Sequence, residues 1–354
     1  MKHLKFILYL LIATFLFSCG TVSSQKVQKE NDQTVTLVED NARKQIDVMV
    51  NSNLFTSYKW GANVFKPVLF PVIASSGTTV TRGFPLEPRP GERADHRHHV
   101  GNWMNYGNVN GFDFWGNGYS GERSENGGEI VHNGIEKMSS DKNEAVLITT
   151  GSWIDKEGSE LLAEQTEYHF IARENVRIID RIVSLTATGD TVRLNDTKEG
   201  MFAIRVAREL ELPSEGKITV VDENGNPKEK DNASNEGITG NYRSSEGVTG
   251  IDVWGTRARW MFLYGQIKDE KISIAICDHP GNVSYPTFWH ARGYGLFSAN
   301  PLGVKDFTKG KEVLNFLIPS GKTTTFKYRL IIGSGSHFTD EEMDAFAEEF
   351  AKKY

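Results

Sequence analysis

A chain of 354 residues with 46 acidic and 40 basic side chains has a formal net charge of −6. This excludes the basic surface that nucleic-acid binding requires, but not an anionic sugar, which needs only a local Arg or Lys pair. With 38% apolar residues and two cysteines, Cys19 and Cys277, the fold must be held by a hydrophobic core and not by a disulfide framework.

In chain order, Lys2 and Lys5 precede an apolar run from Phe6 to Phe17, too short for an ordinary membrane span and right for the core of a signal peptide. Leu16, Phe17, Ser18 and Cys19 resemble a bacterial lipoprotein box. That predicts lipidation of Cys19 and export to a bacterial membrane, on its periplasmic or cell-surface face, with membrane contact only through the lipid. The expected organisation is a signal segment over 1–19, a polar tether over 20–33 and one domain over 34–354.

Runs such as Val35 to Val38, Ile46 to Val50, Ala145 to Thr149, Val176 to Leu185 and Ile218 to Val221, with turn residues between them, predict antiparallel strands. Together with 34 glycines they predict an all-β fold, a large antiparallel β-sandwich of supersandwich size.

Between Asp95 and Trp115, the segment DHRHHVGNWMNYGNVNGFDFW places His96, His98 and His99 beside Asp95 and Arg97, three of the nine histidines in four positions. Imidazole exchanges protons near neutrality and is a common metal ligand, so the cluster predicts proton transfer or a metal. On an extended strand His96 and His98 would share one face and His99 the other. Glu164 and Glu167, near His169, offer a possible glycosidase pair. Polar residues from Asp222 to Asn241 predict a long hairpin loop and not a domain boundary. Cys277, in an apolar run, is expected to be a small buried hydrophobe.

A second constellation, Cys277 to Gly303, holds Asp278, His279, His290, Arg292 and Tyr294 among aromatics and glycines. From Thr324 onward Phe326, Tyr328, Leu330 and Ile332 alternate with Lys327 and Arg329, predicting a half-buried strand. Thr339 and Glu342 form a capping box, Phe338 and Met343 a hydrophobic staple, and Met343, Phe346, Ala347 and Phe350 an apolar stripe, predicting a C-terminal helix.

Asp95, His96, His98 and His99, then Gly111 to Trp115, DTKEGMFAIRV from Asp196 to Val206, the pair Arg259 and Trp260, and PTFWHARGYGLFSANPLG from Pro286 to Gly303 together resemble the methane oxygenase PmoA-like family of bacterial secreted proteins. The family often has Pro where this chain has Arg97. A membrane-embedded oxygenase subunit would need several long apolar helices, and no such run follows the signal segment. The resemblance implies a galactose mutarotase-like supersandwich from a Bacteroidetes-type carbohydrate-utilisation system. One branch it resembles, the ulvan oligosaccharide dehydratases, removes water from a terminal uronic acid.

Such an elimination needs a base for the C5 proton, cationic neutralisation of the carboxylate and an acid for the departing 4-hydroxyl. The expected partner is therefore a uronate-ended oligosaccharide. His98 or His99 is the expected base, His290 or Tyr294 the acid, and Arg205, Arg292 or Arg97 the carboxylate clamp. Lys198 and Glu199 are expected at sugar hydroxyls, and Trp103 at the substrate. Two alternatives remain open: a mutarotase or epimerase using a His acid and a carboxylate base, and a non-catalytic glycan binder stacking sugars on Trp103, Tyr106, Trp115 and Trp289. No cofactor is required, although His96, His98 and Asp95 leave a divalent ion possible.

Overall fold

Period-two alternation builds most of the molecule. The computed structural model describes residues 32–354 apart from 62, 118, 120–123 and 233. The signal segment, the Cys19 lipidation and the tether up to residue 31 lie outside the described residues. The described residues cluster as one unit.

Among the described residues, sixteen strands form one continuous sheet with antiparallel neighbours. One half runs, neighbour to neighbour, through Asn241–Ser244, Trp260–Ile267, Glu270–Asp278, Thr323–Ser334, Val176–Ala187, Glu160–Arg173, Glu144–Ile154 and Glu129–Lys142. The other runs through Thr34–Asp40, Gln45–Val50, Asn53–Lys59, Val68–Val72, Asn102–Tyr106, Gly200–Arg205, Leu296–Asn300 and Phe288–Trp289. They join where Thr34 and Val35 pair with Lys142 and Asp141.

The halves pack face to face. Phe55 meets Phe170 at 6.3 Å, Tyr58 meets Tyr168 at 5.6 Å and Phe202 stacks on Tyr328 at 5.0 Å. The fold is the expected all-β, large antiparallel sandwich, and its core is formed by the inward residues of both halves.

The C-terminal helix, Asp340–Lys353, starts as its sequence predicts: the Thr339 side chain accepts from Glu342 N, and Glu342 Oε2 accepts from Thr339 N at 2.9 Å. Its stripe covers the outer face of the first half, where Met343 and Phe350 pack with Ile178, Trp260, Phe262, Ala275, Cys277 and Ile331. Burying each of the two side chains contributes about 1.5–3 kcal/mol.

This cover corrects the half-buried reading of the strand Thr323–Ser334. Phe326, Tyr328, Leu330 and Ile332 face the core, but Ile331 is buried under the helix. Arg329 is also buried there and holds Asp180 bidentately at 2.6 and 2.9 Å. The polar segment after Val221 is shorter as a loop than expected. Residues 222–226 make the turn, and Pro227–Lys230 return as a strand beside Ile218–Val221.

Candidate active site

The histidine cluster is not on a strand. His96 adopts a left-handed φ of 42° and His99 N donates to His96 O at 3.0 Å, which closes a turn. The turn overrides strand alternation and brings His96 and His99 onto the same side. Tyr294, His96, His99 and Trp103 then form a column of rings, with successive centroids 5.0, 4.9 and 5.2 Å apart and interplanar angles of 6°, 5° and 21°. His98 meets His99 edge-on at 4.3 Å. Trp115 touches His99 at 5.5 Å and His290 at 6.5 Å, so the two remote sequence constellations converge.

Two arginines carry this turn from beneath. Arg82, buried, donates to the carbonyls of Arg93, Asp95, His96 and His99 at 2.8–3.2 Å and to Asp95 Oδ1 at 2.9 Å. Arg205 is equally buried and reaches the same carboxylate oxygen at 2.6 Å and His99 Nδ1 at 3.2 Å. Burial alone would raise the Asp95 carboxyl; Arg205, His96 and Arg82 outweigh it and hold it well below the usual carboxylate range.

Arg205 can only donate, so His99 Nδ1 accepts and the ring proton sits on Nε2, which is buried without a hydrogen-bond partner among the described residues. Burial, then the neighbouring His98 and Arg205, push the pKa of His99 well down. His98 is half-buried; desolvation first, then Lys66, His96, Arg205 and Arg82, push it down to about 2. His290 is held by its Nδ1 on Lys198 O at 2.5 Å and is lowered mainly by burial. All three imidazoles are thus neutral bases or acceptors near neutral pH. Burial raises the pKa of Tyr294, which keeps its phenol protonated.

Several expected roles are corrected here. Arg205 is occupied by Asp95 and His99, so it is not free to clamp a substrate carboxylate. His99 is enclosed with one nitrogen engaged and the other buried, which removes it as the base. Trp103 is 0% exposed beneath His99, and Tyr106, Trp115 and Trp289 are buried as well, so none of the four offers a ring face to a sugar. The side chains of Glu164 and Glu167 leave opposite faces of their strand. Glu164 is buried on Trp153 and Thr166, while Glu167 is on His169, so they are no glycosidase pair. Asp278 and His279 belong to a turn under the C-terminal helix, with Asp278 bonded to Asn282 and Thr287 and His279 against Phe350.

Other residues do meet at the site. The Arg292 guanidinium lies 5.9 Å from the Tyr294 ring and 5.5 Å from Trp254, and among the described residues it has no carboxylate partner. Lys198 and Glu199 are ion-paired with each other, and Glu199 is close enough to act electrostatically on His290 and Tyr294. Arg97 lies over the Phe84 ring at 5.7 Å, outside the ring column. Among the described residues no three His, Cys, Asp or Glu side chains are placed to hold a metal ion, and Asp95 is engaged by both arginines.

Three residues escaped the sequence reading: Arg82, Lys66 and the half-buried Trp254. Arg82 and Lys66 lie in irregular segments beside strands, with no neighbouring motif. Only their charge within apolar surroundings gave a signal.

A family model described as a family of unknown function (DUF6807) matches residues 45–348. No curated protein matches the chain in sequence. Among solved structures it is similar to the galactosidase domain of an α-galactosidase–sucrose kinase, with 9% identity over 84% of this chain and 41% of that one, TM-score 0.37. It is also similar to a GH36 α-galactosidase from Geobacillus stearothermophilus, with 11% identity over 84% and 40%, TM-score 0.39. A third likeness is to an Escherichia coli K12 protein assigned as an aldose 1-epimerase, with 9% identity over 85% and 99%, TM-score 0.30. The chain thus matches about two fifths of the length of the two galactosidase structures. None of these likenesses bears on activity or substrate.

Proposed function

We propose that this chain, which belongs to the DUF6807 family of unknown function, is an exported, lipid-anchored carbohydrate-active lyase. It removes water from the terminal uronic acid of an oligosaccharide of the ulvan type, as the PmoA-like resemblance suggests. The observation that carries the reading is the pairing of neutral imidazoles with surplus guanidinium charge. Arg82 and Arg205 share one carboxylate, and Arg292 has none among the described residues. A site of that charge favours an anionic substrate, and its uncharged histidines can accept a proton.

In this reading Arg292 clamps the uronate carboxylate bidentately and stabilises the enolate-like anion that forms when C5 loses its proton. His98, half-buried with its ring unprotonated, takes that proton. Tyr294, kept protonated by burial beside Arg292, gives its proton to the 4-hydroxyl, which leaves as water. The C4–C5 double bond forms from the released electron pair. The Lys198–Glu199 pair holds sugar hydroxyls, and His290, buried with its Nδ1 on Lys198 O, holds that segment in place. An epimerase would need a free carboxylate base, whereas Asp95 and Glu199 are both ion-paired.

The test is incubation of the protein with saturated uronate-ended oligosaccharides, following the ultraviolet absorbance of an unsaturated uronate together with mass spectrometry. Absorbance rising with loss of one water per oligosaccharide supports the reading. No loss of water, with the C5 hydrogen exchanged for deuterium in heavy water, would replace it with epimerisation, and neither change, with binding retained, would leave a glycan-binding protein.

A further inference from the structure

We propose that Lys66 is a positioning residue for His98, a buried amine that grips the His98 carbonyl from beneath, fixes the direction of its ring and adds like charge beside it. The inference rests on the reading of His98 as the base. Arg82 takes the carbonyls of Arg93, Asp95, His96 and His99, and Lys66 Nζ donates to His98 O at 2.8 Å. The turn therefore directs these carbonyls at two buried cations, with the rings of His96 and His99 stacked in the column and that of His98 edge-on to it.

Lys66 is 1% exposed, stands 5.5 Å from the centroid of Trp103 and has no ion-paired carboxylate among the described residues. A buried amine without a counter-ion destabilises a fold, and an apolar side chain of the same length would fill the place more stably. Its retention fits a role for the charge itself.

Among the described residues the groups facing His98 are Lys66, His96, His99, Arg205 and Arg82, and Asp113 is the one acid that acts on Lys66. Burial pushes the Lys66 amine down to about 7. It is therefore charged in the range where an ordinary imidazole, near 6.5, would take up a proton. Like charge at that place opposes protonation of His98, and the base stays available on the acid side of neutrality. A cavity of about 300 Å³ lies against Lys66, lined also by Trp60, Glu129 and His132.

The experiment is histidine- and lysine-resolved NMR titration of the wild-type protein, Lys66→Met and Lys66→Arg, beside the pH profile of kcat/KM on uronate-ended oligosaccharide. In Lys66→Met the His98 titration should rise by about one unit and the acid limb of the profile should move with it, while Lys66→Arg should keep both near wild type. A folded Lys66→Met with an unmoved His98 titration overturns the proposal. Should that variant not fold, the wild-type protein decides: Lys66 titrating near 7 with His98 resonances shifting at the same pH supports the inference, and Lys66 titrating at its ordinary value with His98 unmoved refutes it. Absence of any elimination, with the NMR response intact, would remove the dehydratase reading and leave the positioning role standing.

Discussion

Replacing Asp95 with Asn keeps the shape of the side chain and its Oδ1 acceptor, which Arg82 and Arg205 reach at 2.9 and 2.6 Å. It removes the one negative charge between two guanidiniums whose side chains are 1% and 0% exposed. Breaking a buried pair from one side costs about 3–5 kcal/mol, because the remaining charges are left uncompensated. The Asp95 side chain is itself 28% exposed, which places the loss near the lower figure, about 3 kcal/mol. With an m-value of about 3 kcal/mol/M, the urea midpoint should fall by about 1 M. The sign of the pH dependence follows from the carboxyl being depressed in the folded state. Its contribution is complete above the unfolded value of about 3.9 and is lost as pH falls through the much lower folded value. The gap between wild type and variant should therefore be constant from about pH 8 to 5 and close only below about 4. Equal midpoints at neutral pH, or a gap that closes between pH 8 and 6, would refute the placement of Asp95 as the shared counter-ion.

His98→Gln should lower kcat by about 10²–10⁴ with little change in KM, measured on uronate-ended oligosaccharide; a KM effect alone would make His98 a binding residue. Arg292→Lys keeps charge but loses the planar fork, so kcat/KM should fall about ten- to a hundredfold on the free uronate and much less on its methyl ester. Equal losses on both would remove the clamp. The Cys277 thiol is buried, and burial pushes its pKa up to about 12, so thiol reagents should leave it untouched in the folded protein and label it promptly in denaturant. Rapid labelling of the native protein would mean that the C-terminal helix leaves the sheet.

The sandwich and its terminal helix were legible because period-two alternation and the capping box at Thr339 and Glu342 are local signals. The convergence of His98, His290, Arg292 and Tyr294 was legible as composition, from two segments dense in the same residue types. Its geometry was not. Whether His96 and His99 share a side depends on one left-handed φ, which reverses strand parity and leaves no trace in residue type. The aromatics expected at a sugar surface were misplaced because Trp and Tyr satisfy a core and a ligand site equally well. Trp103 bonds Asn105 Oδ1 at 3.1 Å and is enclosed. The half-buried face of Thr323–Ser334 was lost to a helix that arrives from later in the chain, a tertiary contact no strand periodicity encodes.

What decides the chemistry is the order in which charge is compensated. Asp95 is closest to Arg205, and both Arg205 and Arg82 are turned inward to hold the histidine turn. Burial first, and their field after it, keep His98 and His99 uncharged. Arg292 alone presents a guanidinium toward Tyr294 and Trp254 without an acidic partner among the described residues. A uronate carboxylate on Arg292 would add negative charge beside Tyr294, which stacks on His96, and on the proposed reading raise the proton affinity of His98 when a proton has to be taken. Without substrate, the same imidazole stays a weak base. On the proposed reading the substrate's own charge completes the base, and a neutral sugar, which brings no such charge, should turn over poorly even where it binds.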